Sequence, residues 1–395
     1  MKSLGKPPIG PPIGRRAEAQ SEVREVVGCD ILCGLNQSAR LFVSVGSWPG
    51  SGEESVRLME PLVFEPFLRP QVWGGNRLAH FGKLLPAGKC AIGESWELSC
   101  HPLHISRVSQ GPLKGSPLSD LWDQRRREIA GPRYIGPDRF PLLVKLLNCE
   151  DPLSVQVHPG DHESKRLGMS DPGKCEAWVV LETSCEARLD AGLKAEVDRV
   201  EFERRLNGGT VDLCLNHLVP DLGDCLYLPS GTVHSARGGV VLLEVQPSSD
   251  STFRLYDWDR RDAKGHARPL HRERGLDVID WSLGPLGFVD SATTLPLAGG
   301  ASVTLLLATP KFNLNRYDLR KAYAPKDLAG RMVAWVVVSG EAILRSAGRS
   351  LSLKRGETVL VPASAEGVEW VPTDECVSLI AVTLGPEFET TVDHR

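Results

Sequence analysis

From about residue 60 onward, apolar residues come in short runs broken by Gly and Pro. Pro141–Leu147, Leu153–His158, Ala177–Glu182, Asp224–Gly231 and Gly239–Gln246 are each of strand length and bounded by turn residues. Runs of this kind predict strands of a sandwich or barrel. One stretch differs: Val197, Val200 and Leu206 recur at helical spacing, and Asn207-Gly208-Gly209 closes the pattern. A second short helix is predicted over Leu118–Ile129. After about residue 300 another β-rich series begins, with SVTLLLA, MVAWVVVSG, EAILRS, ETVLVPA and VSLIAVTL. The expected fold is mainly β: two packed jelly-roll units, the first carrying a small helical insertion.

Composition agrees with that reading. The 395 residues include 39 Gly and 29 Pro, so turns are dense and helices short. This length allows two or three domains. Residues 59–290 are expected to form the first unit and 291–395 the second. Residues 1–58 read as an N-terminal extension, rich in Pro and charge, with one short strand in ARLFVSV; Met59 is an alternative start. The ten cysteines are scattered without zinc-finger spacing, as free thiols of a reducing compartment are. No secretory leader is evident, and a cytoplasmic location is expected. A net charge of −4 argues against nucleic acid. No apolar run reaches the roughly 18–20 residues that a membrane span needs.

The most specific local pattern is Gly223-Asp-Cys-Leu-Tyr-Leu-Pro229-Ser-Gly231-Thr-Val-His234. A hairpin turn, a buried strand and a second turn would aim His234 inward. The spacing G-x5-P-x-G-x2-H resembles the second motif of the cupin superfamily. Period-2 alternation puts Ser154, Gln156 and His158 on one strand face, and Lys174 and Glu176 on one face of another. Two imidazoles, a carboxylate and an amide oxygen make a set acceptable to zinc.

In combination these elements resemble the type I phosphomannose isomerases, closest to the short bacterial form. The resemblance runs from about Pro61 to Asp259 through FLRPQVWGG, GESWELS, FPLLVKLL, LSVQVHPGD, GKCEAW, LPSGTVHS and SDSTFRLYDWDR. It implies one zinc per chain on Gln156, His158, Glu176 and His234, phosphate binding at Lys145 and Ser154, and catalysis around Lys174, Asp250 and Arg254. It also implies a sugar-phosphate substrate, mannose 6-phosphate interconverting with fructose 6-phosphate, and a monomer or weak homodimer. The second unit has no His between Asp280 and Asp393 and reads as metal-free. In several family members a His precedes the lysine, where this chain has Gly173.

Moving a proton between C2 and C1 through a cis-enediol needs a base near both carbons and positive charge near both oxygens. A zinc held by one carboxylate and three neutral ligands keeps a positive charge. Arg254 offers a fork for an oxyanion and Lys145 a compact charge for phosphate. The base is Lys174, Asp250 or a metal-bound water. GESWELS could also supply Trp96 and Glu97 to the site, but a strand-bound Trp is more often core, and Glu97 would brace a metal ligand from behind. The run DRRDAKGHARPLHRERG reads as a solvated loop, with some Arg or Lys able to line the cleft. Two other readings are an Fe(II) cupin dioxygenase and a non-catalytic sugar-binding cupin. The Gln ligand and the nearby cations favour the isomerase over both.

Overall fold

The computed structural model describes residues 59–88, 91–261, 265–290 and 293–390. The expected extension 1–58, with its ARLFVSV strand, lies outside the described residues. The described chain is mainly β. A six-stranded sheet contains Phe67–Gly75, Ile92–Leu98, Leu142–Cys149, Glu176–Glu182, Cys225–Leu228 and Val240–Pro247. A five-stranded sheet orders Leu215–Leu218, Arg188–Leu193, His234–Arg237, Val155–Val157 and Phe253–Tyr256. Later strands build a seven-stranded and a three-stranded sheet.

Alternation along each strand decides what faces what. In Leu142–Cys149, Val144 and Leu146 join a core shared with Leu314, Val336 and Ile380 of the seven-stranded sheet. Leu147 points the other way, toward Leu189, Ala191 and Ala236 of the five-stranded sheet. Lys145 shares that second face by the same period. The outer face of the five-stranded sheet is covered by helix Arg199–Asn207, whose Phe202 and Leu206 pack on Val155, Val157 and Leu255. The Asp198 side chain caps this helix by accepting from the Glu201 amide at 2.8 Å. In the second half, Trp335, Val337 and Val359 pack against Leu344, Leu353 and Trp370 of the three-stranded sheet.

The helix expected over Leu118–Ile129 spans Leu118–Ala130, with a break in helical geometry at Arg125. Two further short helices are Asp161–Arg166 and Arg272–Val278, the second beginning inside the run expected to be a solvated loop. The strand Leu62–Val63 pairs antiparallel with Thr358–Val361, so the start of the described chain completes the edge of a sheet built by its end. No helix among the described residues is long and apolar enough to cross a membrane.

Candidate metal centre and active site

The six- and five-stranded sheets enclose a polar cluster between their facing surfaces. Glu176 opens the strand Glu176–Glu182 of one sheet; Gln156, His158 and His234 come from the other or its flank. Gln156 and His234 are direct register partners on neighbouring strands, which puts both side chains on the same face. Glu176 is 0% exposed, His234 1% and His158 2%.

Each imidazole is oriented from behind. His158 donates from Nδ1 to the Ser251 carbonyl at 2.9 Å, and His234 from Nδ1 to the Thr232 carbonyl at 2.8 Å. Both Nε2 atoms therefore turn toward Glu176, at 3.3 Å from Oε2 for His158 and 3.2 Å from Oε1 for His234. Burial, then the nearby Lys174 charge, lowers the His158 pKa to about 3, so its Nε2 carries a lone pair. Burial opposes ionisation of Glu176, but the Lys174 ammonium holds its pKa well below the ordinary carboxylate value. His158 Nε2 and both Glu176 oxygens are buried, and apart from Lys174 Nζ, 2.9 Å from Glu176 Oε2, no donor faces them among the described residues. Acceptors facing acceptors in a dry site are unfavourable unless a cation sits among them. The set fits a divalent metal such as zinc.

Gln156 completes the set with one qualification. Its Nε2 lies 3.1 Å from His234 Nε2, and its Oε1 accepts from Ser154 Oγ at 3.3 Å. A half-turn of the amide exchanges the two atoms and would present the oxygen to a metal.

Lys174 Nζ stands 2.9 Å from Glu176 Oε2. Burial would lower its pKa, but Glu176, Glu244 and Asp250 outweigh this and raise it, so the ammonium is protonated here. Lys145 donates to Glu244 Oε1 at 2.8 Å and Gln246 Oε1 at 2.9 Å, and lies 3.9 Å from Asp250. Its charge is balanced rather than free for a phosphate. Asp250 lies 3.6 Å from Arg69 Nη1 and forms no ion pair with Arg254 among the described residues. Arg254 is the register partner of Gln156 and donates from Nη1 to the Pro269 carbonyl at 2.9 Å. Ser154, Gln156, Lys145, Lys174, Asp250 and Arg254 all line one cleft.

Period-2 alternation splits the GESWELS motif. Glu94 and Trp96 turn to the cleft, where Glu94 accepts from Trp96 Nε1 at 2.6 Å, Gln71 Nε2 at 2.7 Å and Arg69 Nη1 at 3.0 Å. Glu97 turns away and pairs with buried Lys83 at 2.7 Å, so it does not brace a metal ligand. Glu244, Glu94 and Arg69 were missed from the sequence. A lone Glu in the apolar run GVVLLEVQ was the available signal for Glu244. The expected solvated loop holds Arg268, which lines the cleft and pairs with Asp257.

A buried histidine–carboxylate cluster between two β-sheets, opening on a cleft of paired charges, defines a β-sheet protein with a candidate metal-dependent active site. A family model described as phosphomannose isomerase type I, catalytic domain, matches residues 63–177. The mannose-6-phosphate isomerase ManA of Bacillus subtilis is 32% identical over 303 residues, covering 77% of this chain and 93% of its own. The mannose-6-phosphate isomerase of Streptococcus mutans is 32% identical over 307 residues, with the same coverage. The crystal structure of the Bacillus subtilis mannose 6-phosphate isomerase matches with a TM-score of 0.73 at 29% identity, over 82% of this chain and 99% of that one. The chain belongs to the type I phosphomannose isomerase family.

Proposed function

We propose that this chain interconverts mannose 6-phosphate and fructose 6-phosphate through a cis-enediol, with one zinc held by His158, His234, Glu176 and the amide oxygen of Gln156. The observation that carries the reading is the convergence of His158 Nε2 and His234 Nε2 on the buried Glu176 carboxylate, at 3.3 and 3.2 Å. Bound zinc supplies positive charge that polarises substrate oxygens. The chain's own groups do the rest. Lys174 and Asp250 are assigned to proton handling at C1 and C2, and Arg254 to holding a substrate oxygen with its uncommitted N–H groups. Ser154 adds a hydroxyl donor. Lys145 is held by Glu244 and Gln246, which directs the phosphate elsewhere in the cleft.

The same reading makes residues 59–290 a catalytic cupin unit and 291–395 a second, metal-free one. The pairing of a six- with a five-stranded sheet, and of a seven- with a three-stranded sheet, supports this division.

The test is a coupled assay of the purified full chain on mannose 6-phosphate, detecting fructose 6-phosphate. Activity is expected to vanish on exhaustive chelation and return with zinc. Activity in protein shown to be metal-free would refute the metal's role, and no activity in metal-loaded protein would refute the isomerase.

A further inference from the structure

A hexose 6-phosphate presents two charged demands at opposite ends of a six-carbon chain. Lys145, Lys174, Glu244 and Asp250 cluster at the end of the cleft beside Glu176, where C1 and C2 would react. A second cluster, around Asp257, brings Arg268 to the lining of the same cleft. There Arg268 donates from Nε to Asp257 Oδ2 at 2.8 Å and from Nη2 to Oδ1, and Arg260 donates from Nη2 to the same carboxylate. Two guanidiniums, Arg260 and Arg268, thus share one carboxylate, whose charge also acts on Arg254. Arg254 Nε and both Nε and Nη1 of Arg260 are buried without an acceptor among the described residues. Arg268 Nη1 also has no acceptor among them, and Arg268 lines the cleft with Thr252 and Arg254. Burial, then Arg268, lowers the Arg254 pKa, as expected of a cation crowded by like charge.

We propose that the substrate's phosphate is held at this guanidinium cluster, with Arg268 as its direct ligand and the residue that sets the preference for phosphorylated over neutral hexoses. The proposal rests on the isomerase reading for the sugar, but the anion site stands on its own geometry. Asp257 grips one edge of Arg268 bidentately and leaves the other edge open to the cleft. A guanidinium fixed this way can bind a phosphate dianion with little loss of side-chain freedom. Arg260 adds a further positive charge through the same carboxylate.

The test compares wild type, Arg268→Gln and Arg268→Lys on mannose 6-phosphate and on unphosphorylated mannose. It includes inorganic phosphate both as a competitive inhibitor and as a calorimetric titrant. Arg268→Gln is expected to lower kcat/KM on mannose 6-phosphate roughly 10- to 100-fold more than on mannose, mainly through KM. Phosphate binding should weaken by a similar factor, and Arg268→Lys should fall between, keeping the charge but losing the fork. Equal losses on both sugars, or phosphate affinity unchanged in Arg268→Gln, would overturn the assignment. Calorimetry separates this from a failure of the isomerase reading. If neither sugar reacts, phosphate binding that is lost in Arg268→Gln still supports the site, and a wild type that binds no phosphate refutes it.

Discussion

Lys83 Nζ lies 2.7 Å from Glu97 Oε2 and 2.8 Å from the Gly356 carbonyl, so one buried ammonium joins the six-stranded sheet to a turn of the second half. Ser95 Oγ donates to the other Glu97 oxygen at 2.6 Å. Removing one member leaves the other charged and dry. Lys83→Ala or Glu97→Ala is expected to destabilise the chain by about 3–5 kcal/mol, read as a shift in the urea midpoint. The double variant Lys83→Met/Glu97→Leu should recover much of that loss. A single variant as stable as wild type would mean the pair is not desolvated.

His234 supplies an Nε2 to the acceptor cluster while its Nδ1 is tied to Thr232. His234→Ala should lose bound metal and activity together, measured as zinc per chain alongside the coupled assay. Activity retained without metal would refute the assignment of this histidine.

Arg254 faces the cleft beside Gln156 without touching the histidine–carboxylate cluster through any ion pair among the described residues. Arg254→Ala is expected to keep its metal and lose most of kcat, roughly 10²-fold or more if the guanidinium stabilises transition-state charge. A near wild-type kcat would remove Arg254 from the mechanism.

Gly173 precedes Lys174 where its Cα passes close to the chain at Gly160 and Asp161; an added Cβ would overlap the Asp161 amide and the Gly160 carbonyl carbon. The Asp161 carboxylate accepts from the Gly173 amide at 2.8 Å through Oδ1 and pairs with Lys311 through Oδ2. Gly173→Ala must displace the backbone leading to Lys174 and Glu176. Stability should fall by about 1–3 kcal/mol, with weaker zinc retention in a chelator competition. Unchanged zinc retention would show that this turn does not position Glu176.

Asp171 gathers His101 Nε2 at 2.9 Å, the Asp250 amide at 3.0 Å and Arg139 Nη2 at 3.2 Å. Burial raises its pKa, but these donors outweigh it and bring the value down to about 2. A carboxyl depressed on folding adds stability above its unfolded pKa, near 3.9. That contribution disappears as pH falls through the folded value. The gap in urea midpoint between wild type and Asp171→Asn should therefore be full at pH 7 and shrink between about pH 4 and pH 2. A gap that stays constant over this range would assign the effect to packing instead of charge.

The strands were legible because their apolar runs are short and their breakers strong. Leu142–Cys149, Glu176–Glu182 and Val240–Pro247 lie within a residue or two of where their patterns place them. Period-2 spacing puts Gln156 and His158 on one strand face and the turn pattern before His234 aims it inward, and the structure brings His158, Glu176 and His234 together. Pairings across the sheet were not legible. Only the register of Glu244 opposite Lys145 reveals the carboxylate that pairs with this lysine. Nothing local could separate Glu94 from Glu97, since both sit in one motif and their faces depend on which sheet packs where. Helix Arg272–Val278 was hidden by a charged surface and a single turn's worth of buried contacts.

The pairing of Leu62–Val63 with Val359 and Leu360 sets an order of events. Synthesis runs from the N-terminus, so the first described strand emerges nearly three hundred residues before its neighbour exists. Until then its hydrogen-bonding edge is open to any other strand nearby. Shortening the chain before residue 358 would leave that edge permanently unmatched. Such fragments are expected to be caught by chaperones or to associate with one another through this edge.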